Sequence, residues 1–201
     1  MSAKTTISRS DAPSEKVYVA VDVNNLWHSA KGIYGSQARV DFLDLYNRIK
    51  KGGFDKVPRE VRAVAYTITA PHRTETPEGT IRVKSSRNER FLVTLGKFGY
   101  EVQTRHMRFE KGIEKPFHTD WDVGIAVNVI EVLPWFNTFV LASGDGDYGP
   151  LLKRVREADK RVEVYTFRSV ASPVLYEFAN EVHYLDTEDV YREKIPPTSK
   201  P

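Results

Sequence analysis

The sequence predicts an α/β fold, a three-layer sandwich in which a mainly parallel sheet is flanked by helices. Three observations carry this. Six short apolar runs recur along the chain, at residues 17–23, 61–69, 100–104, 138–142, 162–167 and 182–185. The segments between them space their apolar residues three and four apart, as an amphipathic helix does. With 201 residues, 40% hydrophobic and 28% charged, the chain has enough material for one sizeable core and no more. Strand and helix in alternation favour parallel pairing, because each crossover helix returns the chain to the same edge of the sheet.

Residues 1–16 read as a flexible arm, polar and without periodicity. They lack the apolar centre of a secretory signal. The run 17–23 is the first strand. Asp41 is placed to cap a helix carrying Phe42, Leu45, Tyr46 and Ile49 on one face, closed by Gly52 and Gly53. After the second strand, Phe91, Leu92, Leu95 and Phe98 form another stripe, stopped by Gly99. Residues 123–133 are apolar almost throughout and predict a buried helix ended by Pro134. Leu151, Leu152 and Val155 mark a further helix, and Val174, Leu175 and Phe178 the last. The domain is expected to span residues 17–193, with 194–201 a Pro-rich flexible tail. Two connections, 70–85 and 107–119, exceed the usual length and are candidates for functional loops.

Charge is unevenly spread. The chain carries +3 overall, but residues 71–118 hold ten Lys and Arg against six acids, a local +4 that leaves −1 elsewhere. A basic middle suits a phosphate-rich partner. The chain has no cysteine, so disulfides and thiolate metal sites are excluded and a cytoplasmic setting is expected. No apolar run approaches the roughly 18 residues of a membrane span, so a membrane partner is not expected. Homo-oligomerisation is left open.

The acids that could carry chemistry sit at the ends of predicted elements. Asp22 closes the first strand, where open α/β sheets place ligands at the carboxyl edge. Asp145 and Asp147, in Ser143-Gly-Asp-Gly-Asp-Tyr148, follow the 138–142 strand in the same way. Asp120 and Asp122 open the apolar helix. They are two residues apart, about 200° around a helix, so only one can face the sheet. Asp122 shares a register with Ala126, Val129 and Ile130 and is the one expected to face the other acids, with Asp120 a supporting acid near the cap. Several carboxylates brought together repel and need a compensating cation. All-oxygen donors favour Mg²⁺ or Mn²⁺ over zinc.

Other readings of the same residues are strand-to-helix capping by Asp22, a Gly-rich turn at 144–149, and a capping box in Thr119-Asp-Trp-Asp122. Gly144-Asp-Gly-Asp-Tyr-Gly149 matches the dinucleotide fingerprint, but two aspartates there would repel a pyrophosphate. Asp145-Gly-Asp147 starts like a calcium loop that Gly149 and Leu151 then break. Asp22-Val-Asn24 has the spacing of a phosphatase D-x-D with Asn as its second member.

From about residue 17 to 185 the sequence resembles the NYN-domain family, the LabA-like branch of the PIN-like nucleases. Asp22-Val-Asn-Asn25-Leu26 is similar to its D-x-x-N-L opening, and Asp122-Val-Gly-Ile-Ala-Val-Asn128 to its helix motif D-V-x-L-A-x-D. Ser143-Gly-Asp145-Gly-Asp147-Tyr148 resembles the S-G-D-x-D-F signature. The resemblance implies a PIN-like fold and Mg²⁺- or Mn²⁺-dependent cleavage of RNA. By position it makes Asp22, Asp122, Asp145 and Asp147 catalytic metal ligands, with Asn25 and Ser143 as supporting polar groups. The chain departs from the pattern at Asn128, where the family has an acid, and at Thr119, where it has Lys. The expected function is therefore an RNA phosphodiester hydrolase acting on single-stranded or locally unpaired RNA. Its alternatives are an RNA-binding or scaffold module of the same fold and a small-molecule phosphatase. Arg73, Arg82, Lys84, Arg87, Arg108 and Lys111 are the expected backbone contacts. His72, His106 and His118 read as surface residues. Phe109, Phe117 and Trp121 suit base stacking, although core packing accounts for Trp121 equally well.

Overall fold

Runs such as Val17-Tyr-Val-Ala-Val21 carry apolar side chains on both faces, which is what a strand covered on both sides requires. A computed structural model describes residues 14–52, 58–69, 73–74, 82–83, 87–106, 120–185 and 190–192. Its main sheet is built from β1 (Glu15–Asp22), β3 (Arg59–Thr69), β6 (Tyr100–His106), β7 (Thr138–Ala142), β8 (Arg161–Phe167) and β9 (Glu181–Leu185). All five pairings are parallel, in the order β6-β3-β1-β7-β8-β9. The chain thus runs outward from β1 to β6, then returns to lay β7 against β1. The strand order reverses between β1 and β7, and their carboxyl ends flank a crevice of the kind that binds ligands in open α/β sheets.

Helices cover both faces. One core layer packs α1 (Val23–Tyr34), α2 (Phe42–Lys51) and α3 (Arg87–Lys97) on Val17, Val19 and Val21 of β1. The other packs α4 (Asp122–Glu131), α5 (Gly149–Glu157) and α6 (Pro173–Phe178) on Tyr18, Ala20, Phe139 and Leu141. Asp41 caps α2 as expected, its Oδ1 accepting from the backbone N–H of Leu43 (3.1 Å) and Asp44 (3.0 Å). Gly99 has φ +103°, and an added Cβ would lie 2.9 Å from the Tyr46 ring, so this turn into β6 needs glycine on two counts.

Several expectations are corrected. Glu15 and Lys16, assigned to the arm, belong to β1 and pair with Arg59 and Glu60. The helix expected over 123–133 runs from Asp122 to Glu131, and it is not buried all round. Ile125 and Val129 are its buried stripe, while Val123 (72% exposed), Val127 (49%) and Ile130 (40%) face outward. Ile130 therefore leaves the register assigned to it with Asp122. The connection 70–85 contains a short antiparallel pair, β4 (Arg73–Thr74) with β5 (Arg82–Val83). A second small pair joins β2 (Ala38–Val40) to β10 (Val190–Arg192). The expected tail 194–201 lies outside the described residues.

At the amino edge, far from Asp22, a buried charge network ties four strands together. The Arg59 guanidinium donates to Glu15 Oε2 (2.8 Å), to Glu163 Oε1 (2.6 Å) and Oε2 (3.2 Å), and to the carbonyl of Ile49 (3.0 Å). Arg161 bridges Glu163 Oε1 (3.0 Å) and Glu181 Oε2 (2.7 Å). No helix among the described residues is long and apolar enough to cross a membrane.

Candidate active site

Asp22 ends β1 and is the N-cap of α1, its Oδ1 accepting from the Asn25 N–H at 3.0 Å. The capping reading of Asp22 is thus realised, and it commits one oxygen of the carboxylate. Because Tyr18, Ala20 and Asp22 alternate onto the α4/α5 face, the remaining oxygen of Asp22 points toward those helices. β7 ends at Ala142, and the next six residues turn sharply. Ser143 is fully buried, and its Oγ accepts from the Asp145 N–H (3.2 Å). Asp145 Oδ1 accepts from the Asp147 N–H (3.0 Å), capping a single 3₁₀ turn, Gly146–Tyr148, that leads into α5. Asn25 reaches across from α1, and its Oδ1 accepts from the Gly144 N–H at 3.0 Å. The two motifs at the ends of β1 and β7 are therefore fastened to each other.

α4 begins at Asp122, with Trp121 at the cap position and no side-chain cap bond from it, and Thr119 of the expected capping box lies outside the described residues. Asp122 instead faces the β7 loop. One carboxylate oxygen each from Asp122, Asp145 and Asp147 lie within 4.8 Å of one another. Asp22 is outside that group of three but is tied to it by Tyr148. The Tyr148 hydroxyl lies 3.1 Å from Asp22 Oδ2 and 2.9 Å from Asp122 Oδ1. One hydroxyl hydrogen is shared between two carboxylate oxygens, and a proton or a cation there would relieve their repulsion. Burial raises the Asp22 pKa to about 6, with Asp122 and Asp145 adding repulsion and the hydrogen bonds from Asn25 and Tyr148 opposing it. Burial also raises Asp122, again against the Tyr148 bond and reinforced by Asp120, Asp145 and Asp147. Asp120 is exposed, and its carbonyl accepts from Arg105 Nη1 (2.8 Å), matching its expected place at the cap.

Tyr148 is the residue that motif reading passed over. The resemblance placed it in a signature ending in Phe, which draws attention to the ring and not to the added hydroxyl. Asn24 was also unassigned beyond the phosphatase reading. Its Oδ1 accepts from the Ile68 N–H (2.9 Å) and the Thr67 hydroxyl (3.2 Å), so it braces β3 and is not available as a second D-x-D member. Asn128 likewise turns aside, donating to the Tyr66 hydroxyl (3.2 Å). Trp121 is a packing residue: its Nε1–H donates to the Thr67 carbonyl (2.9 Å), its ring meets Tyr66 edge-on at 5.2 Å, and the Arg105 guanidinium lies 4.1 Å above it. Of the expected RNA contacts, Arg73 and Arg82 are on β4 and β5 and Arg87 starts α3. Lys84, Arg108 and Lys111 lie outside the described residues, as do His72, His118, Phe109 and Phe117.

The donor set fits a hard divalent cation. It is all carboxylate oxygen, it is drawn from three separate backbone positions, and a cation among its members would offset the repulsion of like charges brought together. Asp22 binds its proton more tightly folded than unfolded, so its contribution to stability falls as pH rises from about 4 to about 6. A cation replacing that proton should then raise Tm more at about pH 7.5 than at about pH 5, by differential scanning fluorimetry with and without Mn²⁺. Equal increments at both values would contradict it.

Among known proteins, the family model described as "NYN domain" matches residues 16–186. A crystal structure of a protein of unknown function from Vibrio parahaemolyticus is similar to this chain at 26% identity and a TM-score of 0.68. That match covers 90% of this chain and 98% of the other, and it carries the fold without a function. A search among proteins of curated function finds no match.

Proposed function

The chain belongs to the NYN-domain family, a nuclease-type family, and on that premise we propose that it is a Mg²⁺- or Mn²⁺-dependent ribonuclease. The observation that supports this most is the convergence of Asp122, Asp145 and Asp147 within 4.8 Å, with Asp22 linked to them, at the crevice between β1 and β7. In this reading Asp122, Asp145 and Asp147, with Asp22, hold the cation. When bound, such a cation neutralises phosphoryl charge and lowers the pKa of a water. The rest falls to the chain. Asn25 and Ser143 hold the Gly144–Asp147 loop in place, so the carboxylates are positioned before substrate arrives. The parallel sheet brings the ends of β3 and β6, and so the starts of both basic connections, to the same edge as Asp22. A single-stranded RNA crossing that edge would lay its backbone along Arg73, Arg82, Lys84, Arg87, Arg108 and Lys111 and a phosphate over the carboxylates.

Labelled single-stranded RNA incubated with purified protein tests the reading. Cleavage is expected with Mn²⁺ and none with EDTA. Full cleavage in EDTA rejects the metal mechanism. Tight binding without cleavage under any divalent ion leaves a binding module, the reading that Asn128 in place of a family acid would favour. RNA affinity is expected to fall by roughly 0.7 log units per log unit of salt for each phosphate neutralised. Arg82→Ala, Lys84→Ala and Arg87→Ala combined should flatten that slope, as measured by filter binding across salt. An unchanged slope puts the RNA elsewhere.

A further inference from the structure

We propose that Tyr148 is a positioning residue whose hydroxyl couples Asp22 to the Asp122–Asp145–Asp147 group, making one four-carboxylate site out of three acids and a remote fourth. This rests on the nuclease reading and adds a residue to it. Tyr148 is 1% exposed, and its ring is part of the core layer beneath the crevice. The hydroxyl stands between Asp22 Oδ2 (3.1 Å) and Asp122 Oδ1 (2.9 Å), two carboxylates that otherwise share no hydrogen bond among those described. Asp22 then has both oxygens committed, one to the Asn25 N–H and one to Tyr148, so its carboxylate is fixed in a single orientation. Asp122 comes from α4, whose own cap makes no side-chain bond, so Tyr148 is the side chain seen to hold this carboxylate toward the crevice.

A phenylalanine would fill the same space. Packing therefore accounts for the ring and leaves the hydroxyl unexplained. Without that hydroxyl, two half-buried carboxylates would face one another with no donor between them, and like charges so placed move apart. Polar groups that orient ligands typically matter by roughly 10- to 100-fold in metal affinity or activity when removed.

The test is Tyr148→Phe, with Tyr176→Phe as a control that removes an exposed phenol hydroxyl away from the carboxylates. Mn²⁺ affinity by titration calorimetry and kcat on single-stranded RNA are expected to fall roughly 10- to 100-fold in Tyr148→Phe, with KM for RNA and the far-UV circular dichroism unchanged. The control should match wild type. In the Asp22→Asn background the further Tyr148→Phe change should cost less than it does alone, because its coupling to Asp22 is already weakened while its bond to Asp122 remains to be lost. Unchanged Mn²⁺ affinity and kcat in Tyr148→Phe overturn the proposal, as does a lower Tm with unchanged kcat. So do fully additive losses in the double variant. Mn²⁺ affinity that drops in a wild-type background lacking RNase activity would support the coupling while rejecting the ribonuclease reading. A wild-type chain that binds no Mn²⁺ overturns both.

Discussion

Asp122→Ala is expected to remove RNA cleavage, by at least about a hundredfold, while leaving a folded protein. Asp120→Ala, two residues away, should keep most activity. The difference comes from placement. Asp122 is grouped with Asp145 and Asp147, whereas Asp120 is exposed at the cap and contributes its carbonyl to Arg105. Among the described residues no side-chain bond caps α4, so loss of the Asp122 carboxylate should not unwind it. Its carboxylate is crowded by like charge, and removing it without a cation present should leave Tm unchanged or slightly higher. Thermal melts and initial rates on both variants decide this. A destabilised Asp122→Ala of normal specific activity would return Asp122 to a purely structural role, and exchanged phenotypes would make Asp120 the functional acid.

Glu163→Ala is expected to be strongly destabilising, about 3–5 kcal/mol, because it leaves the buried Arg59 guanidinium with only Glu15 and the Ile49 carbonyl as partners. Glu163 and Arg59 side chains are 1% and 0% exposed, so water cannot take over the lost partner. Burial by itself would raise the Glu163 pKa, but contacts with His183, Arg59 and Arg161 outweigh it and hold the carboxyl at about 2. The stability it contributes is therefore complete above the ordinary glutamate range and lost as pH falls from about 4.5 toward 2. Glu101→Ala breaks a bidentate pair with Arg62 of comparable geometry, but those side chains are 50% and 43% exposed. An exposed pair is worth about 1 kcal/mol or less. Urea unfolding of the two variants at neutral pH separates them. Equal losses would show that burial adds nothing to the Arg59–Glu163 pair.

The strands of the main sheet were legible because parallel strands buried on both faces leave continuous apolar runs that need no partner to be seen. The run at 138–142 is reproduced residue for residue. α1 was not read as an element, since only Val23, Leu26 and Ala30 are fully buried and most of its other positions are polar or exposed. β2 with β10, and β4 with β5, are two or three residues long and exist only through their partners, which local patterning cannot show. α4 misled in the opposite direction. Its sequence is apolar nearly all round, yet one stripe packs and Val123, Val127 and Ile130 remain outside.

The acids could be located in the sequence because each follows or opens an apolar element, and strand ends in a parallel sheet share an edge. What they touch could not. Tyr148 acquires its role from two carboxylates that are 126 and 26 residues away. Arg59 meets Glu163 across 104 residues. Trp121 could stack on a base or on the core by its sequence, and the bond to Thr67 at 2.9 Å makes it a packing residue. Such pairings depend on which strands become neighbours, and that is a property of the whole chain.

Cleavage at the carboxyl edge would require a divalent cation held there by these particular oxygens. Crystals grown with Mn²⁺, and measured near the manganese absorption edge, test that directly. An anomalous peak is expected between Asp122, Asp145 and Asp147, beside Asp22 and Tyr148, and it should vanish in Asp145→Asn. No peak at saturating Mn²⁺, or a peak confined to another part of the surface, would contradict the metal site and the mechanism built on it.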